Sequence, residues 1–257
     1  MPDNALRLYP LPNREGSPAS IYRDLLIILR GDSESNPLPY TIANMVSSAD
    51  GRAAVGGKAS GIGGAADRIV MRNLRAQVDA VMVGAGTLRA ERLSLGLDET
   101  VRGPQPLAVV LTASGDLPVL TNLVPQEGQD VLVICAETSA GTFEGTLYDE
   151  AEVLRVPRAP DGYLDLEQAL RTLKRERGIG RLLVEGGPRL NGALISRGLL
   201  NELFLTVAPK LLGGAAASDT RTIIEGNLLA PEPLRLVSVH LVGGEIFLRY
   251  ALRNNRD

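Results

Sequence analysis

The segment Arg181-Leu-Leu-Val-Glu-Gly-Gly-Pro-Arg-Leu-Asn-Gly-Ala193 joins a short apolar run to a helix-like pattern through two glycines and a proline. The apolar run predicts a buried strand, and Pro188 suits the first turn of a helix because its missing N–H is not needed there. Glycines at such a junction let a bound group approach the backbone, and the free N–H groups of a helix start attract anions. The segment therefore predicts a phosphate cradle with an acid, Glu185, beside it. Alternatively, Gly186 and Gly187 form only a tight connection, since the motif is neither GxGxxG nor a P-loop.

The alternation of strand and helix patterns continues on both sides of this segment. Runs 234–242 and 245–252 predict a hairpin that turns at Gly243-Gly244. Alternating units closed by a hairpin predict an α/β fold with a mixed, mostly parallel sheet, helices on both faces and a C-terminal antiparallel hairpin. The other predicted strands are 40–46, 80–83, 107–111, 131–135, 153–156, 182–184 and 202–209, and the helices are 65–77, 164–177 and 188–197.

The first 36 residues are predicted to form an N-terminal extension before a single domain at 37–257. Residues 1–17 are polar and rich in proline, which favours a flexible segment. Residues 18–30 predict one helix with an apolar face, and a polar linker follows.

Composition restricts the class of protein. A chain of 257 residues with 44% hydrophobic and 22% charged residues is typical of a folded globular protein. Its net charge of −3 argues against nucleic acid as a main partner. No apolar stretch is long enough to span a bilayer, and the N-terminus is unlike a signal peptide. Because one cysteine cannot form an internal disulfide, we expect a cytoplasmic protein.

The chain contains one cysteine, Cys135, and one histidine, His240. They cannot form the usual zinc site or a Ser-His-Asp or Cys-His arrangement, so we expect no metal. Cys135 ends an apolar run and is predicted in the core, whereas His240 lies in an alternating strand and is predicted to be structural or outward-facing. The chemistry must therefore come from carboxylates, hydroxyls, arginines, backbone dipoles or an organic cofactor, and we expect a cofactor.

Four segments, in order, resemble the reductase domain of the bacterial riboflavin-biosynthesis deaminase–reductase family, which has the dihydrofolate reductase fold. They are 39–52 with its Ser-Ala-Asp-Gly turn, 73–87 with Leu-Arg-Ala and Gly-Ala-Gly-Thr, 181–193, and 206–214 with Pro-Lys-Leu-Leu-Gly-Gly. The resemblance covers about residues 37–252. The zinc deaminase domain of that family needs His-x-Glu and Pro-Cys-x-x-Cys, which one histidine and one cysteine cannot supply. The chain therefore resembles a stand-alone reductase domain.

The resemblance implies a homodimeric, NADPH-dependent reductase that converts the ribosyl group of a (di)amino-ribosylaminopyrimidine 5′-phosphate to ribityl. Hydride would reach C1′ of the ring-opened, imine-like sugar, and a proton must reach the nitrogen. One alternative is a dihydrofolate or other pterin reductase, in which an acid on the first helix would matter rather than Arg75. The other is a non-catalytic NADPH-binding protein. We expect neither a nucleic acid nor a membrane partner.

The resemblance also implies residue roles. Glu185 and Glu91 are the implied catalytic residues; Glu185 would hydrogen-bond the pyrimidine or deliver the proton, or else it only caps the next helix. Arg75 would bind the substrate phosphate as a fork, or else it is a solvated surface arginine. The implied substrate-binding residues are Asn44, Ser60, Arg75, Leu95 and Glu185. The implied cofactor-binding residues are Val46, Gly61, Gly86, Thr87, Glu91, Thr112, Ala113, Ser114, Gly186, Gly187, Pro188, Arg189, Leu190, Asn191, Gly192 and Ala193.

Three departures from the family pattern concern the substrate side. Asn44 replaces a lysine, Glu91 replaces an aspartate, and residues 93–98 lack the proline and the basic residue of the family. Arg89, Arg92 or Arg102 could bind the phosphate instead, and the sequence does not choose between them. No arginine adjoins residues 112–115, the implied adenosine turn, so the preference for NADPH rests on the resemblance alone.

Overall fold

The computed structural model describes residues 4–23, 36–113, 122–139, 151–213, 220–226 and 228–252. Its strands are β1 (Ala5–Tyr9), β2 (Arg14–Gly16), β3 (Tyr40–Ser48), β4 (Ala54–Val55), β5 (Ala80–Gly84), β6 (Leu107–Thr112), β7 (Val131–Ala136), β8 (Glu152–Val156), β9 (Arg181–Val184), β10 (Glu202–Ala208), β11 (Thr220–Arg221), β12 (Leu234–Val242) and β13 (Glu245–Leu252). Its helices are α1 (Ala65–Arg75), α2 (Ala85–Ala90), α3 (Leu166–Arg177) and α4 (Pro188–Ser196).

Within the described ranges, eleven strands form one sheet in the order β2-β1-β12-β13-β10-β3-β9-β5-β6-β7-β8, and β4 pairs with β11 separately. Neighbouring strands are parallel from β10 to β8 and antiparallel from β2 to β10. The hairpin of β12 and β13 turns at Gly243 (φ +54°) and Gly244 (φ +85°), because a two-residue turn of this kind needs positive φ at both positions. The predicted mixed, mostly parallel sheet with a C-terminal hairpin is confirmed.

Helices cover both faces of the sheet, as predicted. Successive strand residues point to opposite faces, so Val81 and Val83 of β5 pack with α1 and α2, while Ala80 and Met82 pack with α3 and α4. We call the first side the α1 face and the second the α3 face. Cys135 is fully buried in the sheet, which confirms its predicted core position.

The N-terminal segment differs from the prediction. Residues 1–17 were expected to be flexible, but β1 and β2 lie within them, and β1 pairs with β12 at the other end of the chain. The prolines around these short strands give the segment a composition typical of a loop, and this composition masks the alternating pattern of Ala5–Tyr9. Of the helix predicted at 18–30, the described part contains only the 3-10 turn Pro18–Ser20, and residues 24–30 lie outside the described residues. Among the described residues, no helix has the length and apolar character needed to cross a membrane.

Candidate cofactor and substrate site

The segment Glu185-Gly186-Gly187 lies at the C-terminal end of β9, near the middle of the sheet, between β3 and β5. The N–H of Glu185 donates to the carbonyl of Met82 (2.9 Å), and the N–H of Gly84 donates to the carbonyl of Gly186 (2.9 Å). These bonds hold the ends of β5 and β9 side by side. The carboxyl ends of parallel strands are where α/β sheets usually bind ligands.

The two glycines present bare backbone to the side chain of Thr87. Gly186 has a φ of +105°, which disfavours any side chain. A Cβ atom on Gly187 would lie only 3.2 Å from the Thr87 hydroxyl oxygen. Gly86, one residue before Thr87, is exposed in the first turn of α2, and a Cβ there would meet open space. Two segments that the sequence placed in one site thus meet, with a hydroxyl facing the glycines.

Helix α4 begins directly beside this hydroxyl, with Gly187 as its N-cap and Pro188 in its first turn. The N–H of Asn191 donates to the carbonyl of Gly187 (3.0 Å), which closes the first turn. The N–H groups of Arg189 and Leu190 therefore point out of the helix start. A helix start and a hydroxyl around bare glycine backbone have the geometry of a phosphate cradle.

The side chains of residues 190–193 do not face this cradle. All four residues are buried, and the Asn191 side chain donates to the carbonyl of Ile223 (2.8 Å). A Cβ on Gly192 would lie 2.2 Å from the carbonyl oxygen of Glu225. Asn191 and Gly192 thus pack residues 223–225 against α4, and the cofactor-binding role of residues 190–193 stays a prediction.

Arg75 and Glu185 form a buried, two-bonded ion pair on the α1 face. The Arg75 Nε donates to Oε1 (2.8 Å) and its Nη2 to Oε2 (2.6 Å), and the two side chains are 8% and 10% exposed. Nη1 donates to the carbonyl of Gly96 (3.0 Å). Burial lowers the pKa of Arg75, but the charge and hydrogen bonds of Glu185 outweigh it and raise that pKa.

This pairing bears on two expectations about the substrate side, which stay predictions. The fork of Arg75 is engaged by Glu185, so in this structure it does not point at a substrate phosphate. Both Glu185 oxygens accept hydrogen bonds from the Arg75 guanidinium, and the role of Glu185 in proton delivery stays a prediction. Glu185 does not cap α4, whose N-cap is Gly187, and Arg75 is not a solvated surface group, because its side chain is only 8% exposed.

Glu91 anchors the loop that carries Ser60 and Gly61. Its Oε1 accepts from the N–H of Ala59 (3.1 Å). On the other side, the Lys210 ammonium donates to the carbonyl of Gly61 (2.7 Å). Ser60 and Gly61 are exposed between these anchors. The structure thus shows a loop-holding contact for Glu91, and its catalytic role stays a prediction.

Asn44 and Val46 lie on β3, half-buried on the α1 face. The register that pairs Ala43 with Val184 brings Asn44 beside Glu185. Leu95, in contrast, is fully buried in the core. Its substrate-binding role stays a prediction.

The implied adenosine turn is described only in part. Thr112 is buried at the end of β6, Ala113 is half-buried, and Ser114 lies outside the described residues. The Nη2 of Arg158 donates to the carbonyl of Ala113 (2.7 Å), and its Nη1 donates to that of Gly162 (2.8 Å). A cation therefore does adjoin this turn in space. The sequence did not predict this contact because Arg158 follows β8, far along the chain from Ala113. The contact could have been predicted from the topology, because β6 and β8 run parallel and end at the same edge of the sheet.

Sequence reasoning also missed Asp67, in the first turn of α1. Burial raises its pKa to about 6, against the opposing effect of a hydrogen bond with the Thr206 side chain; the charges of Glu245 and Glu185 raise it further. The spacing of Asp67 and Arg75, two helical turns apart, was the available signal. In the part of the chain that the structure describes, no group of three or more histidine, cysteine or acidic residues could hold a metal ion.

Comparisons with known proteins identify similar chains. A family model described as the RibD C-terminal domain matches residues 39–248. The chain is 28% identical, over 222 residues, to the 2,5-diamino-6-ribosylamino-4(3H)-pyrimidinone 5′-phosphate reductase of Methanothermobacter thermautotrophicus, covering 84% of this chain and 99% of that protein. It is 30% identical to the riboflavin biosynthesis protein RibD of Actinobacillus pleuropneumoniae, covering 83% of this chain and 57% of that longer protein.

Solved structures agree with the fold. RibD of Acinetobacter baumannii superposes with a TM-score of 0.69 at 26% identity, covering 86% of this chain and 60% of that one. A pyrimidine reductase-like protein of Corynebacterium diphtheriae superposes with a TM-score of 0.68 at 22% identity, covering 94% of this chain and 100% of that one, and at this identity it supports the fold alone.

Proposed function

Because the chain belongs to the family of RibD C-terminal domains, we propose that it reduces the ribosyl group of a ribosylaminopyrimidine 5′-phosphate to ribityl with NADPH, in riboflavin biosynthesis. The observation that carries this proposal is the meeting of the glycine cradle and the Arg75–Glu185 pair at one strand end. The bound cofactor would supply the hydride, so the protein has to position two partners and exclude water.

The backbone of residues 186–190 and the Thr87 hydroxyl would hold the cofactor pyrophosphate. Bare glycine backbone fits such a group because a Cβ on Gly187 would crowd the space in front of Thr87. The turn of Thr112 and Ala113 would hold the adenosine end. Arg158 supports NADPH over NADH, because a guanidinium beside that turn can bind a 2′-phosphate.

On the substrate side, Glu185 would accept hydrogen bonds from the amino groups of the pyrimidine. Arg75 holds that carboxylate in one orientation through two hydrogen bonds. The substrate phosphate then needs another cation, and Arg89, Arg92 and Arg102 are all exposed. Arg92 follows Glu91, the anchor of the Ser60 loop, which makes it our first choice.

A homodimer is part of the proposal. On the α3 face, β10, β12 and β13 form an apolar surface of half-buried or exposed side chains. Apolar patches of this kind usually mark interfaces, and a second copy would cover it. The surface consists of Leu205, Val207, Leu236, Val239, Leu241, Ile246, Leu248 and Tyr250.

Sedimentation velocity tests the dimer. The wild type should sediment as a dimer and Ile246→Lys as a monomer, because Ile246 is 37% exposed on this surface. Leu211→Lys, at a leucine that is 81% exposed elsewhere, is the control and should remain dimeric. A monomeric wild type would contradict the dimer.

The cytoplasmic location stays a prediction.

Absorbance of the reduced nicotinamide tests the reaction. The purified protein should oxidise NADPH with the 2-amino or the 2-oxo ribosylaminopyrimidine phosphate, and not with dihydrofolate. The dihydrofolate arm is needed because Asp67 supplies the first-helix acid that a pterin reductase would use, although the relatives bear the names of pyrimidine reductases. NADPH binding without oxidation by any of the three compounds would instead indicate a non-catalytic protein.

A further inference from the structure

One face of α1 carries Asp67, Met71 and Arg75, each four residues from the next. The Arg75 side chain runs back along the helix, and its Nη2 lies 3.9 Å from the sulfur of Met71. The Glu185 carboxylate is bound to that guanidinium, and its negative charge reaches Asp67 and raises the pKa of the Asp67 carboxyl. Asp67 and Glu185 thus border the same space.

The surroundings of Asp67 restrict its carboxyl group. The Thr206 side chain hydrogen-bonds to it from β10, and Thr206 pairs in register with Val46 of β3. A Cβ on Gly63 would lie 2.1 Å from Asp67 Oδ2, so the loop before α1 closes over the carboxyl only because it has a glycine there.

The charged groups around Asp67 are mostly acidic. Glu245 faces it from β13 and accepts a hydrogen bond from the N–H of Gly64 (2.6 Å). Glu185 faces it from the end of β9, and Arg68 on α1 opposes them. Burial raises the pKa of Asp67 to about 6, and the two glutamates add to the rise. This carboxyl is therefore half-protonated near pH 6.

Reduction of the imine-like substrate needs a proton as well as a hydride. Hydride forms the new C–H bond at C1′, and the electron pair of the C=N bond moves onto nitrogen, which must then gain a proton. Both carboxylate oxygens of Glu185 are engaged by hydrogen bonds from Arg75. Asp67 is a second carboxyl group on the same face of α1.

We propose that Asp67 is the acid that protonates the substrate nitrogen as hydride reaches C1′. Its O–H bond breaks, the N–H bond forms, and the carboxylate regains a proton from water after each turnover. Thr206 orients the carboxyl, and Gly63 leaves it room. The inference rests on the proposed pyrimidine reduction.

Single-turnover hydride transfer in Asp67→Asn is the direct test. The rate should fall by about 10²-fold, the usual range for loss of a general acid, with unchanged NADPH affinity. In the wild type the rate should fall as the pH rises through about 6, and the variant should lose this dependence. Asp165→Asn, at the start of the distant α3, is the matched control and should keep both rate and profile.

Glu245→Gln separates a catalytic role from a structural one. The amide keeps an oxygen for the N–H of Gly64 but removes a like charge from Asp67. The inflection of the pH profile should therefore move to lower pH. A purely structural Asp67 would leave the inflection in place, which would overturn the inference.

Failure of the inference and of the proposed function can be told apart. If the wild type reduces the pyrimidine phosphate but Asp67→Asn keeps its rate and inflection, only the inference falls. If the wild type is inactive with that substrate, the proposed function falls and the inference falls with it. Carbon-13 NMR of aspartate-labelled free protein needs no substrate, and an Asp67 carboxyl titrating below pH 4.5 would overturn the inference by itself.

Discussion

The proposed cofactor cradle and the proposed substrate wall lie side by side at the end of β9, but they are built from different parts of the chain. The cradle consists of the backbone of residues 186–190 and one hydroxyl, that of Thr87. The substrate wall consists of charged side chains on α1 and β9, Asp67, Arg75 and Glu185, each with a partner from a distant segment. A backbone site tolerates most side-chain changes, whereas a site of paired buried charges depends on every member.

Removing one member of the buried pair should have the largest effect. Arg75→Ala leaves Glu185 buried without its counter-charge, which typically costs 3–5 kcal/mol, so we expect the free energy of unfolding to fall by about 4 kcal/mol. Urea denaturation measures it. The double variant Arg75→Met with Glu185→Gln should regain most of that stability, because no unpaired charge remains, but not the activity. A single variant as stable as the wild type would show that the wall does not depend on pairing.

The same contrast explains what the sequence predicted. Most strands and helices between 40 and 252 followed from periodicity, except the two-residue strands β4 and β11. The strand–helix junction followed from Gly186, Gly187 and Pro188, because backbone geometry is encoded locally. The partner of Arg75 was not predictable, since Glu185 lies 110 residues away and pairing depends on packing. The strands of the N-terminal segment were missed for the same reason: β1 finds its partner in β12.

Because of Asp67, the free energy of unfolding should fall as the pH rises. Its pKa is raised in the folded protein to about 6 from an ordinary 3.8, so the folded state binds the proton more tightly than the unfolded one. Stability therefore falls as the pH rises from about 4 through about 6, and the loss is complete above that. At pH 8, the free energy of unfolding of Asp67→Asn should exceed that of the wild type by up to ~3 kcal/mol. At pH 4, the variant and the wild type should be similarly stable. Urea denaturation at both pH values checks this, and a gain equal at the two would contradict the titration.

The cradle should respond to bulk rather than to charge. A Cβ on Gly187 would lie 3.2 Å from the Thr87 hydroxyl, and the larger side chain of Gly187→Val would occupy the approach of the pyrophosphate. We expect NADPH to bind at least tenfold more weakly, about 1.4 kcal/mol, as measured by fluorescence titration. Ser196→Asp is the matched control, because it adds charge on an exposed residue at the other end of α4. Unchanged binding in Gly187→Val would contradict the cradle.

A variant at the proposed adenosine turn should have the smallest effect on cofactor affinity, and this effect should be selective for NADPH. The reason is that the turn at Thr112 and Ala113 carries one exposed cation, Arg158. Arg158→Ala removes the guanidinium beside Ala113 without touching the cradle. We expect NADPH to bind about fivefold more weakly, ~1 kcal/mol, because one exposed ion pair with the 2′-phosphate is lost, while NADH binding stays the same. Parallel titrations with the two cofactors measure the difference. Arg175→Ala, at an exposed arginine of α3, controls for the loss of one positive charge and should change neither affinity. If Arg158→Ala bound NADPH and NADH equally more weakly, the arginine would act by supporting the backbone of the turn. Its charge would then make no contact with the 2′-phosphate.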